Sequence, residues 1–257
     1  MSPAVTTRPR ADADLPRRAF VEQVMGLPVS IHVRGSIDDA AVAVGVDQAF
    51  GHLRKVDSVL SLWRPDSDLC RTLRGELPPA EAHPWLEEVR QLCILAERRT
   101  GGLFSATATR DGSYDPTGLV KGWAVEGASR HLEHVPGISF CVNAGGDIVA
   151  GAGYGTAPSN WRIGIEDPGD RSRVAATVDL SRGGLATSGT AARGAHILDP
   201  RSGRPVEREG SATVWGPSLM WADVWATALF VDPPEGARRL ERADAAYRSL
   251  VLAPQAP

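Results

Sequence analysis

The segment 215–231 constrains the fold of this chain most, because it is almost entirely apolar and yet contains an aspartate and a threonine. Ser218 is typical of a helix start, and residues 220–230 have the alanine and leucine content of a helix packed on a core. In such a helix Asp223 and Thr227 lie one turn apart on one face. The sequence therefore predicts a helix that carries a carboxylate and a hydroxyl into apolar surroundings.

This pair of oxygen-bearing side chains forms half of a site that suits Mg²⁺, since Mg²⁺ takes oxygen ligands and few of them from the protein. Two other interpretations stay open for these residues. In the first, Asp223 caps the helix or pairs with an arginine. In the second, Thr227 bonds back to a helix carbonyl.

The length and charge of the chain limit the classes of function. A chain of 257 residues is long enough to bury a large core, and its formal net charge of −3 provides no basic field for nucleic acid or an anionic membrane. The first twenty residues contain several arginines without the apolar run of a signal peptide or a membrane span. We therefore expect disorder over residues 1–20, a single domain over 21–257, no membrane span and a cytoplasmic protein.

Periodic patterns predict a mixture of helices and strands. Apolar residues alternate over 25–33, as in a half-buried strand. Long amphipathic patterns predict helices over 38–62 and 85–100, the second stopped by Gly101 and Gly102. Ser67 is a candidate cap for a short turn over 69–73. Further strands are predicted over 138–149, 161–165, 175–180 and 184–187.

A pair of glycines follows the apolar strand that begins at residue 138. The run is Asn143, Ala144, Gly145, Gly146 and Asp147. Paired glycines allow a ligand or another backbone to approach closely. The alternative is a simple tight hairpin turn.

Lys121 is a second candidate for ligand binding. A turn over residues 115–118 leads into a predicted helix that extends to about residue 131, which places Lys121 in the first turn. Free N–H groups at a helix start attract anions, and an added lysine suits a pyrophosphate. The alternative is an exposed lysine without a function.

A lone histidine, His196, is the third candidate. Small hydroxylated residues precede it over 186–190, and the dipeptide Asp199 and Pro200 follows it. A lone histidine is more often structural than catalytic. Asp199 is expected to close a turn before residues 201–203.

Together these pieces, in this order, resemble the FAD:protein FMN transferases, the ApbE-like flavin transferases. The matching blocks are residues 115–124, 143–148, 186–189, 196–203 and 222–230, with further likeness over 25–33 and 57–63. Five ordered blocks are far more specific than any one of them. The resemblance spans nearly the whole chain after residue 20.

The resemblance implies a reaction in which FAD is bound and its FMN half is transferred to a Thr or Ser hydroxyl of an acceptor protein, with release of AMP. Mg²⁺ is implied as the metal, with the side chains of Asp223 and Thr227 and the carbonyl of Gly118 as its ligands. His196 is our candidate for the group that takes the hydroxyl proton, and Asp223 is the alternative. A cation that bridges the phosphates stabilises charge on the leaving group.

The same resemblance assigns the remaining candidates to FAD. Lys121 would face the flavin nucleotide, and the turn formed by Asn143, Gly145, Gly146 and Asp147 would let the main chain approach the nucleotide or the acceptor. Ser188 and Gly189 would lie along the site. The implied fold is α+β, with helices packed on a largely antiparallel sheet, and it leaves open a division into two subdomains with the site between them.

Several residues depart from the family pattern. Ser105 follows Phe104 where an aspartate is usual, which puts one contact to FAD in doubt. Glu126 stands where an aspartate is common, and Ala195 replaces a frequent aromatic residue. Two other functions stay open: hydrolysis of FAD to FMN and AMP, and flavin binding without catalysis. Retention of Asp223, Thr227 and Lys121 argues against the second.

Overall fold

A computed structural model describes residues 15–37, 40–190 and 197–253 of the chain. Its strands are β1 (Arg17–Val24), β2 (Leu27–Gly35), β3 (Ile138–Ala144), β4 (Asp147–Ala152), β5 (Trp161–Glu166), β6 (Val174–Leu180), β7 (Gly183–Gly189), β8 (Leu198–Asp199), β9 (Arg204–Pro205), β10 (Ser211–Gly216) and β11 (Arg248–Leu252). Its helices are α1 (Ala40–Leu60), α2 (Asp68–Leu73), α3 (Trp85–Thr100), α4 (Thr117–Glu133), α5 (Leu219–Val231) and α6 (Pro233–Ala243).

A seven-stranded sheet organises the molecule. Its strands lie in the order β1-β2-β3-β4-β7-β10-β11, and every neighbouring pair is antiparallel. Strands β5 and β6 form a separate two-stranded sheet, and so do β8 and β9. The prediction of an α+β fold with helices on a largely antiparallel sheet is confirmed.

The two faces of the large sheet bury two different apolar clusters. Because side chains alternate along a strand, Ala186 packs with the helices α1, α4 and α5, whereas its neighbour Leu185 packs with β5 and β6. Trp161 and Ile163 of β5 belong to this second cluster. We call the face covered by the helices the helical face, and the face covered by β5 and β6 the outer face.

Most predicted elements lie close to their expected positions. Helix α3 has the predicted bounds, and α1 falls inside the predicted range 38–62. Ser67 caps α2, and its hydroxyl accepts a hydrogen bond from Cys70 N at 3.0 Å. In the described parts of the chain, no helix combines the length and the apolar content needed to cross a bilayer.

The prediction of disorder over residues 1–20 is wrong at its C-terminal end. β1 begins at Arg17 and pairs with β2, with Arg18 opposite Val33 and Phe20 opposite Ile31. Two of the arginines in this segment, Arg17 and Arg18, stand on an exposed edge strand, where charged side chains are favourable.

His52 of α1 lies in an aromatic cluster on the helical face. Its ring centroid is 5.3 Å from that of Trp85, 6.3 Å from that of Trp123 and 5.7 Å from that of His131. Its Nε2 is buried and has no hydrogen-bond partner among the described residues. Burial, followed by the charges of His131 and Arg130, lowers the pKa of His52 from 6.5 to about 4.

We expect this histidine to destabilise the fold in acid. Between pH 6.5 and about 4 the unfolded chain binds a proton at His52 and the folded chain does not, so the free energy of unfolding falls as the pH falls. Because the ring is only about half buried, we expect a loss of about 1–2 kcal/mol rather than the full value of the shift. Urea titrations at several pH values measure it.

One substitution of His52 tests this assignment. His52→Phe keeps the ring packing and removes the titrating group, so its free energy of unfolding should fall less between pH 7 and pH 4.5 than that of the unmodified protein. Equal pH dependence in His52→Phe and the unmodified protein would contradict the assignment.

Candidate active site

Helix α5 carries the first two candidate residues into the core. Ser218 caps the helix by accepting a hydrogen bond from Trp221 N. Apolar residues surround the whole helix, so it is buried on nearly all sides. Asp223 is only 4% exposed, and Thr227 lies one turn further along the same face.

Helix α4 approaches α5 closely because it has a glycine at the contact point. A Cβ atom on Gly122 would lie 2.9 Å from the Cα of Met220, 3.1 Å from the carbonyl oxygen of Leu219 and 3.2 Å from the Cβ of Asp223. Such distances are too short for a methyl group. Gly122 therefore sets the spacing that brings its neighbour Lys121 beside Asp223.

We expect Gly122→Ala to push the two helices apart and to lower the free energy of unfolding by about 1–3 kcal/mol. Lys121 and Asp223 should separate as well. Gly51→Ala is the matched control, since a Cβ there meets only the guanidinium of Arg54 at 3.7 Å and alanine favours the helix. If both variants unfold at the same denaturant concentration, the close approach has no energetic importance.

Lys121 joins two buried carboxylates from different elements. Its Nζ lies 2.5 Å from Oδ2 of Asp147, at the start of β4, and 3.8 Å from Oδ2 of Asp223. The expectation that Lys121 stands in the first helical turn is wrong: the side chain of Asp115 accepts a hydrogen bond from Thr117 N, and α4 begins at Thr117. Lys121 is thus the fifth residue of α4, and its interaction with the site is through its ammonium.

The charges of this cluster do not balance. When all three groups are ionised, the two carboxylates and one ammonium leave one excess negative charge. Burial raises the pKa of Asp223, and the charge of Asp147 raises it further, whereas Lys121 lowers it. Oδ2 of Asp223 accepts no hydrogen bond from any described residue. A cation beside Asp223 would supply the missing charge and the missing partner.

The donor set fits a hard cation such as Mg²⁺. Oγ1 of Thr227 lies 3.1 Å from Oγ of Ser188 on β7, so two hydroxyls lie on the side of α5 that carries Asp223. The described ranges contain no group of three or more His, Cys, Asp or Glu side chains placed to hold a metal. A metal here would therefore need hydroxyl and carbonyl oxygens besides Asp223, which Mg²⁺ accepts and softer metals do not prefer.

The cluster opens into a cavity of about 810 Å³ at one end of the large sheet. This volume falls in the range of sites for large organic ligands. Eight of the residues proposed from the sequence line it: Gly118, Lys121, Gly145, Gly146, Ser188, Gly189, Asp223 and Thr227. Residues from distant parts of the sequence thus meet around one space.

The glycine pair forms the turn between β3 and β4, as in the hairpin interpretation, and it also lines the cavity. Gly145 and Gly146 have φ angles of 61° and 98°, which favour glycine. The side chain of Asn143 accepts a hydrogen bond from Gly146 N at 2.9 Å and is not part of the cavity lining. Asp147 also lies outside the lining, next to Lys121. Contact of Asn143 or Asp147 with FAD stays a prediction.

The candidate proton acceptor His196 lies outside the described residues. The next residue, Ile197, lines the cavity together with Leu198. Asp199 closes the expected turn, since its side chain accepts a hydrogen bond from Arg201 N at 2.9 Å. The guanidinium of Arg201 also bonds to Asp232 at 2.9 Å, which ties this turn to the start of α6.

The structural role of Glu126 was not predicted from the sequence. Its carboxylate accepts hydrogen bonds from Oγ of Ser218 at 2.7 Å and from Met220 N at 3.1 Å, so a side chain of α4 caps α5. Ser218 also bonds to the hydroxyl of Tyr247. The pairing of a carboxylate on one helix with the start of another has no local sequence signal.

Several lining residues were also not among the predicted site residues. They come from the turn before β2, the end of α1 and its loop, the segment after α3, and β5 with the loop that follows: Met25, Trp63, Phe104, Ser105, Ile163 and Glu166. Trp63 is 77% exposed, and its position in the lining depends on the fold.

Comparison with known proteins identifies relatives of this chain. Residues 108–249 match the ApbE family. The chain is 29% identical over 201 residues to the FAD:protein FMN transferase of Klebsiella pneumoniae (strain 342), which covers 73% of this chain and 55% of that protein. It is 35% identical over 133 residues to the Escherichia coli (strain K12) FAD:protein FMN transferase, covering 48% and 37%. The matches thus span about half or less of these relatives.

Two crystal structures share the fold. The ApbE protein from Thermotoga maritima superposes with a TM-score of 0.76 at 19% identity, over 92% of this chain and 94% of that one. The apo flavinyl transferase ApbE from Pseudomonas stutzeri superposes with a TM-score of 0.75 at 24% identity, over 94% and 92%. These likenesses extend over nearly the whole chain.

Proposed function

The chain belongs to the ApbE family, and from this premise we propose that it transfers the FMN half of FAD to a Thr or Ser hydroxyl of an acceptor protein, with release of AMP. One observation carries the proposal. The buried cluster of Lys121, Asp147 and Asp223 stands at the wall of a cavity of about 810 Å³, beside the hydroxyl of Thr227. Such a cluster suits the pyrophosphate and cation that this reaction requires.

In the proposed reaction the hydroxyl oxygen of the acceptor forms a bond to the phosphorus of the FMN half. The bond from that phosphorus to the bridging oxygen breaks, and AMP leaves with the electron pair. The hydroxyl proton passes to a base. No oxidation or reduction occurs, and FAD is consumed as a substrate.

We propose Mg²⁺ as the cation, held by the side chains of Asp223 and Thr227 and by the carbonyl oxygen of Gly118. When bound there, Mg²⁺ withdraws electron density from the phosphates and so stabilises the charge that develops on the leaving group. The excess negative charge of the cluster supports this site, and so does Oδ2 of Asp223, which accepts no hydrogen bond from a described residue. Gly118 and Thr227 both line the cavity.

Lys121 would hold the flavin nucleotide through its ammonium, and Asp147 would keep that ammonium in place. The glycines at 145 and 146 leave room for the nucleotide, since no heavy atom lies within 4 Å of a Cβ on Gly146. Ser188 would orient the hydroxyl of Thr227 by their 3.1 Å hydrogen bond. These residues would act by positioning and by electrostatic stabilisation, which together account for most of the catalysis in phosphoryl transfer.

For the proton we propose His196, because a neutral imidazole accepts a proton near pH 7. The lining of the cavity by its neighbour Ile197 supports this role. Asp223 is the alternative, since burial and the charge of Asp147 raise its affinity for a proton.

Mass spectrometry of the products tests the proposal. The purified protein is incubated with FAD and Mg²⁺, with and without a domain or peptide that carries an acceptor threonine. We expect an acceptor heavier by one FMN group and an equal amount of AMP, both abolished by a chelator. Free FMN and AMP without modified acceptor would show a hydrolase, and intact bound FAD would show a flavin carrier.

A further inference from the structure

The cavity extends around the end of the large sheet onto both of its faces. Lys121, Asp223 and Thr227 line it on the helical face, where the cluster of charges lies. Ser188 of β7 points to the helical face. Leu185 and Thr187 alternate with it along the strand and therefore line the cavity on the outer face. We call the second part the outer lobe; Leu185, Thr187 and Ser211 of the large sheet and residues 163–166 of β5 form its walls.

The free edge of β5 faces this outer lobe. Among the described residues β5 pairs with β6 alone, so its other edge has no partner strand. Four consecutive residues of β5 line the cavity, from Ile163 to Glu166, whereas no residue of β6 does. Side chains alone would line a space at every second residue, so the run of consecutive lining residues indicates that the backbone edge of β5 contributes to the wall. An edge strand presents unpaired N–H and C=O groups to whatever lies beside it.

The polar groups of the outer lobe suit a neutral or basic ligand. Glu166 and Asp167 carry two negative charges into its lining, and Arg171 carries one positive charge and pairs with Glu166 at 2.9 Å. The cluster at Lys121 carries the same excess charge, but the cation proposed beside Asp223 would offset it there, so phosphates are better placed beside Lys121. Ser211 is 7% exposed, and its Oγ has no hydrogen-bond partner among the described residues.

We propose that an extended segment of the acceptor protein adds to the free edge of β5 and so brings its Thr or Ser hydroxyl past the end of β7 to Ser188 and Thr227. This inference rests on the proposed transferase function. Apolar walls, an unpaired strand edge and a buried serine hydroxyl together recognise a polypeptide in the extended conformation. The acceptor and the pyrophosphate then reach the same point from the two faces of the sheet.

A bulky side chain in the outer lobe separates acceptor binding from FAD binding. The probe is a pool of ten-residue peptides, each with one central threonine, and the readout is FMN-modified peptide. Thr187 is exposed and lines the lobe, so Thr187→Tyr should lower peptide modification at least tenfold and change the Kd for FAD less than twofold. Thr177→Tyr, on the exposed face of β6 and outside the cavity, is the matched control and should leave both unchanged.

A backbone scan of the peptide tests the strand geometry with the unmodified protein. One modified peptide is remade with a single N-methyl group at each successive residue. Because a strand directs every second N–H toward its neighbour, we expect transfer to be lost at alternate positions and kept at those between them.

Each other outcome overturns the inference in a recognisable way. Equal peptide modification by Thr187→Tyr and the unmodified protein, or loss without a period of two in the backbone scan, would place the acceptor elsewhere. A parallel loss of FAD affinity in Thr187→Tyr would assign the outer lobe to FAD. If the unmodified protein binds FAD and modifies no peptide or protein domain at all, the transferase function itself fails, and this inference fails with it.

Discussion

Replacement of Asp223 by asparagine should lower kcat/KM for FMN transfer by roughly 10³-fold and leave the melting temperature unchanged or higher. The loss of activity is expected because the amide of asparagine is a poor substitute for a charged ligand of Mg²⁺. The stability is expected to persist because the substitution keeps the volume of the side chain. It also removes a buried negative charge close to Asp147.

The two readouts together distinguish a metal ligand from a structural residue. Asp47→Asn is the control, since the Asp47 side chain is 82% exposed and makes one long ion pair of 3.4 Å with Arg54; it should change neither quantity. Full activity of Asp223→Asn at limiting Mg²⁺ would show that the carboxylate is not a ligand. A large fall in melting temperature would show that Asp223 holds the fold instead.

Replacement of Lys121 by methionine should weaken FAD binding and slow transfer, together by roughly 10²–10³-fold in kcat/KM. It should also lower the free energy of unfolding, because Asp147 and Asp223 lose their shared counter-charge. Removing one partner of a fully buried pair costs about 3–5 kcal/mol, and we expect about 2 kcal/mol here since Lys121 is 25% exposed. Stopped-flow transfer assays and urea unfolding measure the two effects.

The sequence provides a matched control, because Lys55 and Lys121 are its two lysines. Lys55 is exposed on α1, so Lys55→Met should alter neither transfer nor stability. If Lys121→Met kept full FAD affinity while it lost stability, the ammonium would hold the two carboxylates and have no contact with the nucleotide.

Local patterns were sufficient to predict the elements that carry the site. The spacing of Asp223 and Thr227 in an apolar helix depends on helical periodicity alone, and α5 contains both. The glycines at 145 and 146 indicated a turn that leaves open space, and they form one beside the cavity. Such features are set by a few neighbouring residues, and a single sequence contains that information.

The remaining features depend on long-range contacts that no local pattern encodes. Asp147 lies beside Lys121 because α4 packs against β4. The two residues are 26 positions apart in the chain. Glu126 caps α5 from another helix, at a distance of 92 residues from Ser218. Nothing in the alternation of residues 161–166 shows that β5 leaves the large sheet and faces the cavity. These contacts follow from the topology of the sheet.

The most direct test of the site is to locate the cation. Crystals of the protein soaked with FAD and Mn²⁺, a stand-in for Mg²⁺ with a measurable anomalous signal, would show its position. We expect an anomalous peak within coordination distance of a carboxylate oxygen of Asp223 and the hydroxyl of Thr227, and its loss in Asp223→Asn. A peak that contacts neither residue, or an equal peak in Asp223→Asn, would contradict it.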